Sequence, residues 1–172
     1  DDIEEILKDV KRLLDEILAK VKKASDDNKR ILDEIERKVE EMVRRSEKTN
    51  EDIRRSDRRR EEVRKLLDED NRRIEEAFKE LDELIKRLDK TLTDLMRDLE
   101  RLIKEVKDEI DKKLKVEELV RELKKRVDEI KERARRLIEE NRERNKEIKE
   151  RAERIIERLR KINEDTKREA EK

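Results

Sequence analysis

The side chains here that could do chemistry are abundant carboxylates, a run of arginines, four asparagines among apolar positions, and a few hydroxyls. General acid or base work needs a carboxylate whose proton affinity has been shifted in a dry pocket, and no such pocket is encoded around any Asp or Glu. A dimetal site inside a helical bundle needs Glu-x-x-His, and the chain contains no His. For the same reason no Ser or Thr has an imidazole base to activate it, and zero Cys removes thiol catalysis, thiolate metal ligation and disulfides. No catalytic, cofactor-binding or metal-ligating residue is therefore assigned, and an enzyme is not expected.

The arginine run, Arg54-Arg55-Ser56-Asp57-Arg58-Arg59-Arg60, is the one place suited to a phosphate or nucleic acid. From Arg44 to Lys65 ten basic residues face six acidic ones, a local net charge of +4. Single-strand platforms add aromatic side chains for stacking, and this segment has none. It reads as a solvated helix face, and its two Arg-Arg-Ser triplets, at Ser46 and Ser56, are short enough to arise by chance. Over the whole chain 53 basic and 53 acidic residues cancel, so no field of one sign draws in nucleic acid or an anionic membrane. No small-molecule ligand is indicated.

Asn28, Asn71, Asn141 and Asn145 stand at or beside apolar stripe positions, where two readings apply. Buried, they would set register or partner number through hydrogen bonds, at some cost in stability. Otherwise Asn28 and Asn71 would be turn residues, and Asn141 and Asn145 solvated breaks. Both readings give them a structural role.

The elements that hold these residues are helices. From Ile74 through Phe78, Leu81, Ile85, Leu88, Leu92, Leu95, Leu99, Leu102 and Val106 to Ile110, apolar residues recur in steps of three and four, one helical face held for about ten turns. Ala77, Leu84, Met96 and Ile103 widen the stripe, so this helix should meet more than one neighbour. The absence of Gly and Pro, with Phe78 as the only aromatic, excludes hairpins and sheets. A hydrophobic fraction of 31% against 62% charged residues implies a thin core. Acid-first charge pairs four apart, such as Glu4/Lys8, Glu16/Lys20 and Asp82/Lys86, support the exposed faces. The longest apolar run, Ile17-Leu18-Ala19, is far too short for a membrane span or a signal peptide, so a soluble chain of unknown localisation is expected.

Without Gly, the turn candidates are clusters of Asp, Asn and Ser. The preferred set lies near 25–28, 68–71 and 112–116, within a single bundle domain spanning 1–172. It would lay residues 1–24, 28–48, 92–112 and 118–138 side by side and leave a thinner half of three legs, with Ile53 half wet there and Leu99 enclosed in the richer half. A rival set places turns near 48–50 and 90–93, where Thr49/Asp52 and Thr91/Asp94 resemble capping boxes. The fold class expected is all-α, an elongated antiparallel bundle of three to four long helices with coiled-coil-like packing. The alternative is one continuous helix, a rod of roughly 260 Å, in an oligomeric coiled coil.

Seven residue types are missing, Asp, Glu, Lys and Arg fill the outward positions, and Leu, Ile and Val fill the stripe. In these respects the chain resembles computationally designed helical bundles, whose surfaces are chosen for charge and helix propensity over a binary apolar pattern. The polar stripe residues resemble designed hydrogen-bond layers. The resemblance implies a structural scaffold or assembly component without natural biochemical activity. The expected folding leaves the flank of the central helix near Ala77, Leu84 and Leu88 less covered, and a second copy or a designed helical chain is the partner expected there. A coiled-coil spacer or helix-binding module of natural type is the competing class.

Overall fold

A computed structural model describes residues 2–172, which form three helices: α1, Asp2–Arg55; α2, Arg60–Lys113; and α3, Glu117–Glu171. They contain 54, 54 and 55 residues, and no strand occurs among the described residues. Acidic residues open each helix and basic residues close it, Glu61 and Glu62 against Arg54 and Arg55 at the first break and Glu117 and Glu118 against Lys112 and Lys113 at the second. Both placements oppose the helix dipole favourably.

The breaks are residues 56–59 and 114–116. No described residue has positive φ, so both connections turn without the left-handed conformation that Gly would supply. At the first, Ser56 Oγ donates to the Asp52 carbonyl at 2.7 Å and accepts from Arg58 Nε at 2.9 Å. From Arg54 to Glu62 there is no apolar side chain to bury, and there the chain reverses.

The second break falls within the turn expected near 112–116, whereas the other expected turns are corrected. Residues 25–28 and 68–71 lie inside continuous helix, as do 48–50 and 90–93, while the arginine run expected to be a solvated helix face contains the first break. Asn and Asp break helices when their side chains compete for their own backbone. Here Asn28 bonds across to Asn141, and Asp70 and Asn71 both accept from Asn163. The hydroxyls of Thr49 and Thr93 fold back onto carbonyls four residues earlier, at 3.0 and 2.9 Å, which leaves the helix intact.

The chain groups into two compact units. One comprises the described part of Asp1–Arg30 with Leu88–Arg144; the other comprises Ile31–Arg87 with Asn145–Lys172. Each is a bundle of one segment from each helix, so residues 28–48 do not fold back on 1–24 as a fourth leg. In the first unit Val10, Leu14, Ile17 and Val21 meet Leu92, Leu99, Ile103, Val106 and Ile110, with Val127, Ala134 and Ile138 closing the third side. In the second unit Ile74, Ile156 and Leu159 form one cluster and Ile53, Val63 and Leu67 another. Ile53 is 7% exposed, so the half-wet site expected from its polar sequence neighbours is in fact closed by residues of α2.

Residue numbers fix the directions. In the ion pairs Lys107–Asp128, Lys124–Asp111, Arg160–Glu75 and Lys167–Asp68 the two numbers add to 235, the signature of antiparallel α2 and α3. Between α1 and α3 the difference is constant instead: Asn28 with Asn141 and Asn50 with Asn163 are each 113 apart, so these two run parallel.

Burial along each helix repeats every 18 residues. On α2, Val63, Leu81 and Leu99 are buried at that spacing, as are Leu67, Ile85 and Ile103, and Ile74, Leu92 and Ile110. Eighteen residues make five turns of about 3.6, the period of a straight helix, whereas a heptad seam at about 3.5 imposes left-handed supercoiling. The buried face therefore follows the helix's own period.

Candidate functional site: the buried polar layers

Among the described residues eight buried positions carry polar side chains: Asn28, Ser46, Asn50, Asp70, Asn141, Asn145, Asn163 and Thr166. Several of them fall on the 18-residue period of the core. Ser46 follows Asn28 and Val10, Asn50 follows Leu32 and Leu14, Asp70 precedes Leu88 and Val106, and Asn163 follows Asn145 and Val127. A polar group there must find partners, because an unmade buried hydrogen bond costs about 1–3 kcal/mol.

In the first unit, Asn28 Nδ2 donates to Asn141 Oδ1 at 3.2 Å. Asn141 Nδ2 in turn donates to Ser25 Oγ at 2.8 Å and to the Leu137 carbonyl at 2.7 Å. Nearby, the exposed Arg142 guanidinium reaches Thr93 Oγ1 on α2 at 3.1 Å.

The second unit holds the larger layer, which joins all three helices. Asn163 on α3 donates to Asp70 Oδ2 and to Asn71 Oδ1 on α2, both at 2.8 Å. Its own Oδ1 accepts from Asn50 Nδ2 on α1 at 2.7 Å, and that same amide donates to the Ser46 carbonyl at 2.9 Å. Thr166 Oγ1 donates to Asn50 Oδ1 at 2.6 Å, and Ser46 Oγ donates to Asp70 Oδ2 at 2.7 Å. Among the described residues no buried side-chain nitrogen or oxygen lacks a partner. A half-satisfied network would weaken the core, whereas a satisfied one ties α1, α2 and α3 to a single alignment.

Of the asparagines singled out in the sequence, Asn28, Asn141 and Asn145 are buried and Asn71 is half-buried, with Asn71 and Asn141 engaged in the layers as donors or acceptors. All four lie inside continuous helix rather than at turns, and none is a solvated break. Asn50 and Asp70 were expected in turns, at 48–50 and 68–71, and Asn163 and Thr166 carried no expectation, yet all four are buried in the layer. For Asn50, Asp70 and Asn163 the signal that marks them is the 18-residue spacing from other core positions. Ser46 is buried in the layer, while Ser56 is exposed at the first break.

Asp70 is engaged by Ser46 and Asn163, and among the described residues no group of three or more His, Cys, Asp or Glu could hold a metal ion. No described helix is long and apolar enough to cross a membrane. The arrangement defines a class: an all-α three-helix bundle with satisfied polar layers in its core. The chain is similar to a solved structure described as a computationally designed three helix bundle, with 26% sequence identity, 99% of this chain and 80% of that chain covered, and a TM-score of 0.57. No protein-family model matches the sequence, and no curated protein matches it.

Proposed function

We propose that the chain is a structural scaffold of designed type, with no catalytic centre, whose buried polar layers specify how its three helices align. The observation that carries this reading is the six-residue layer of Ser46, Asn50, Asp70, Asn71, Asn163 and Thr166, in which amides and hydroxyls from three helices are mutually satisfied. The likeness to a designed three-helix bundle supports it.

A self-contained chain fits the burial better than the self-association or helical partner expected from the sequence. On the flank of α2 near Ala77, Leu84 and Leu88, where a partner was expected, Leu88 is 7% exposed and Ala77 and Leu84 are half-buried, and the large hydrophobics that stand exposed among the described residues are Ile3 and Val116. Sedimentation from micromolar to near-millimolar concentration tests this. The mass of one chain throughout is expected; a doubled mass would restore the assembly-component reading, and its loss in Leu84→Glu would place the contact on α2.

A further inference from the structure

On the 18-residue period of α2, Ala77 corresponds to Leu95, which is buried in the first unit, and Phe78 corresponds to Met96. A methyl group thus stands where the same face elsewhere carries a leucine side chain. Beside it lies a groove of about 160 Å³, partly open to solvent, between α1 and α2 in the second unit. Ile74 and Leu81 form its floor, and the half-buried Met42, Ala77, Phe78 and Leu84 form its walls.

The charged residues of the lining carry no net charge, Lys38, Arg45 and Arg73 standing against Glu41, Asp70 and Glu80. Arg45 pairs with Glu41 at 3.5 Å and Arg73 with Glu69 at 3.0 Å, and Asp70 has its Oδ2 engaged within the polar layer. With no charge of one sign to attract an ion, the site favours an uncharged guest. Its size suits one small molecule and is far too small for a helix. Cavities of roughly 150 Å³ with apolar walls take benzene-sized guests, and a thioether and an aromatic ring make favourable contacts with an aromatic guest.

We propose that the groove walled by Met42, Ala77, Phe78 and Leu84 is a binding site for a small uncharged aromatic molecule. The two methionines provide the test, since Met42 lines the cavity and Met96 packs in the core of the other unit. With both methyl groups labelled with carbon-13, benzene titrated into the full chain should move the Met42 resonance saturably at millimolar concentration and leave Met96 in place. Ala77→Leu, which restores the side chain found at Leu95, should abolish the Met42 shift while helix content stays at the parent's level. A Met42 resonance that does not saturate, or equal movement of both methionines in the parent, would overturn the site without recourse to any variant. A parent-like shift in Ala77→Leu would also overturn it.

Discussion

Asn50 on α1 donates its side-chain amide to Asn163 on α3 at 2.7 Å, and 22 residues earlier on both helices Asn28 makes the equivalent bond to Asn141 at 3.2 Å. The two pairs therefore impose the same register on the parallel helices. Sliding α3 by one turn would part both amide pairs and strand buried donors and acceptors in apolar surroundings, which is how a polar layer discriminates between alignments that an apolar stripe would tolerate.

Truncating the hub should be costly. Asn163→Ala removes three layer bonds at once and leaves the Asp70, Asn71 and Asn50 groups short of a partner. A loss of about 2 to 4 kcal/mol is expected in urea denaturation. A loss below about 1 kcal/mol would mean that the layer rearranges freely.

Among apolar positions, Leu99→Ala should cost ~2 to 5 kcal/mol, because Leu99 is 2% exposed within the large core of the first unit. Ile53→Ala should fall at or below the bottom of that range. Ile53 belongs to a cluster of three buried residues beside the exposed break at 56–59, where the structure can relax around the gap. Denaturant midpoints of the two variants check the order, and an Ile53→Ala loss as large as that of Leu99→Ala would contradict it.

Limited trypsin digestion should read the breaks directly. The first cuts are expected after Arg58, Arg59 or Lys115, because these lie in the exposed non-helical connections whereas the other Lys and Arg residues between them are held in helix. Mass spectrometry of the earliest fragments checks this. First cuts after Lys29, Arg30, Arg72 or Arg73 would instead return the turns to 25–28 and 68–71.

Acid should weaken the contacts of Asp82. Its carboxylate pairs with Lys86 at 3.0 Å and with Lys149 of α3 at 3.3 Å, and the Lys86 hydrogen bond, aided by Lys149, holds its pKa below the ordinary value. A depressed folded-state pKa contributes stability that is complete above the unfolded value, near 4, and is lost as pH falls through the folded one. Asp82→Asn should therefore lower stability at pH 7 by no more than about 1 kcal/mol, and the difference from the parent should vanish near pH 2. Melting curves at both values test this.

The helical class was legible because the stripe through Leu81, Ile85, Leu88 and Leu92 needs only side-chain spacing to read. The break at 114–116 was legible too, within the turn expected at 112–116, but turns were also expected at 25–28 and 68–71, where there are none, because Asn28, Asp70 and Asn71 carry the same local signal whether they cap a helix or bond across a bundle. Only the partner on another helix separates the two cases, and Asn141 and Asn163 lie more than 90 residues away in sequence. The first break was hidden for the opposite reason. Ser56 to Arg59 has neither Gly nor Pro, and an apolar-free stretch reads equally well as exposed helix.

If the layers specify alignment rather than add stability, removing them should free the register while the fold survives. Replacing both layers with apolar residues of the kind found along the rest of the core, as Asn28→Val, Ser46→Val, Asn50→Leu, Asp70→Leu, Asn141→Leu, Asn163→Val and Thr166→Val together, keeps the helices and a filled interior while removing both amide pairs and every bond of the larger layer. The amide NMR spectrum of this variant is the most direct test. Doubled or broadened resonances from coexisting alignments are expected even if the melting temperature rises; one sharp set, as numerous and as well dispersed as the parent's, would contradict the account.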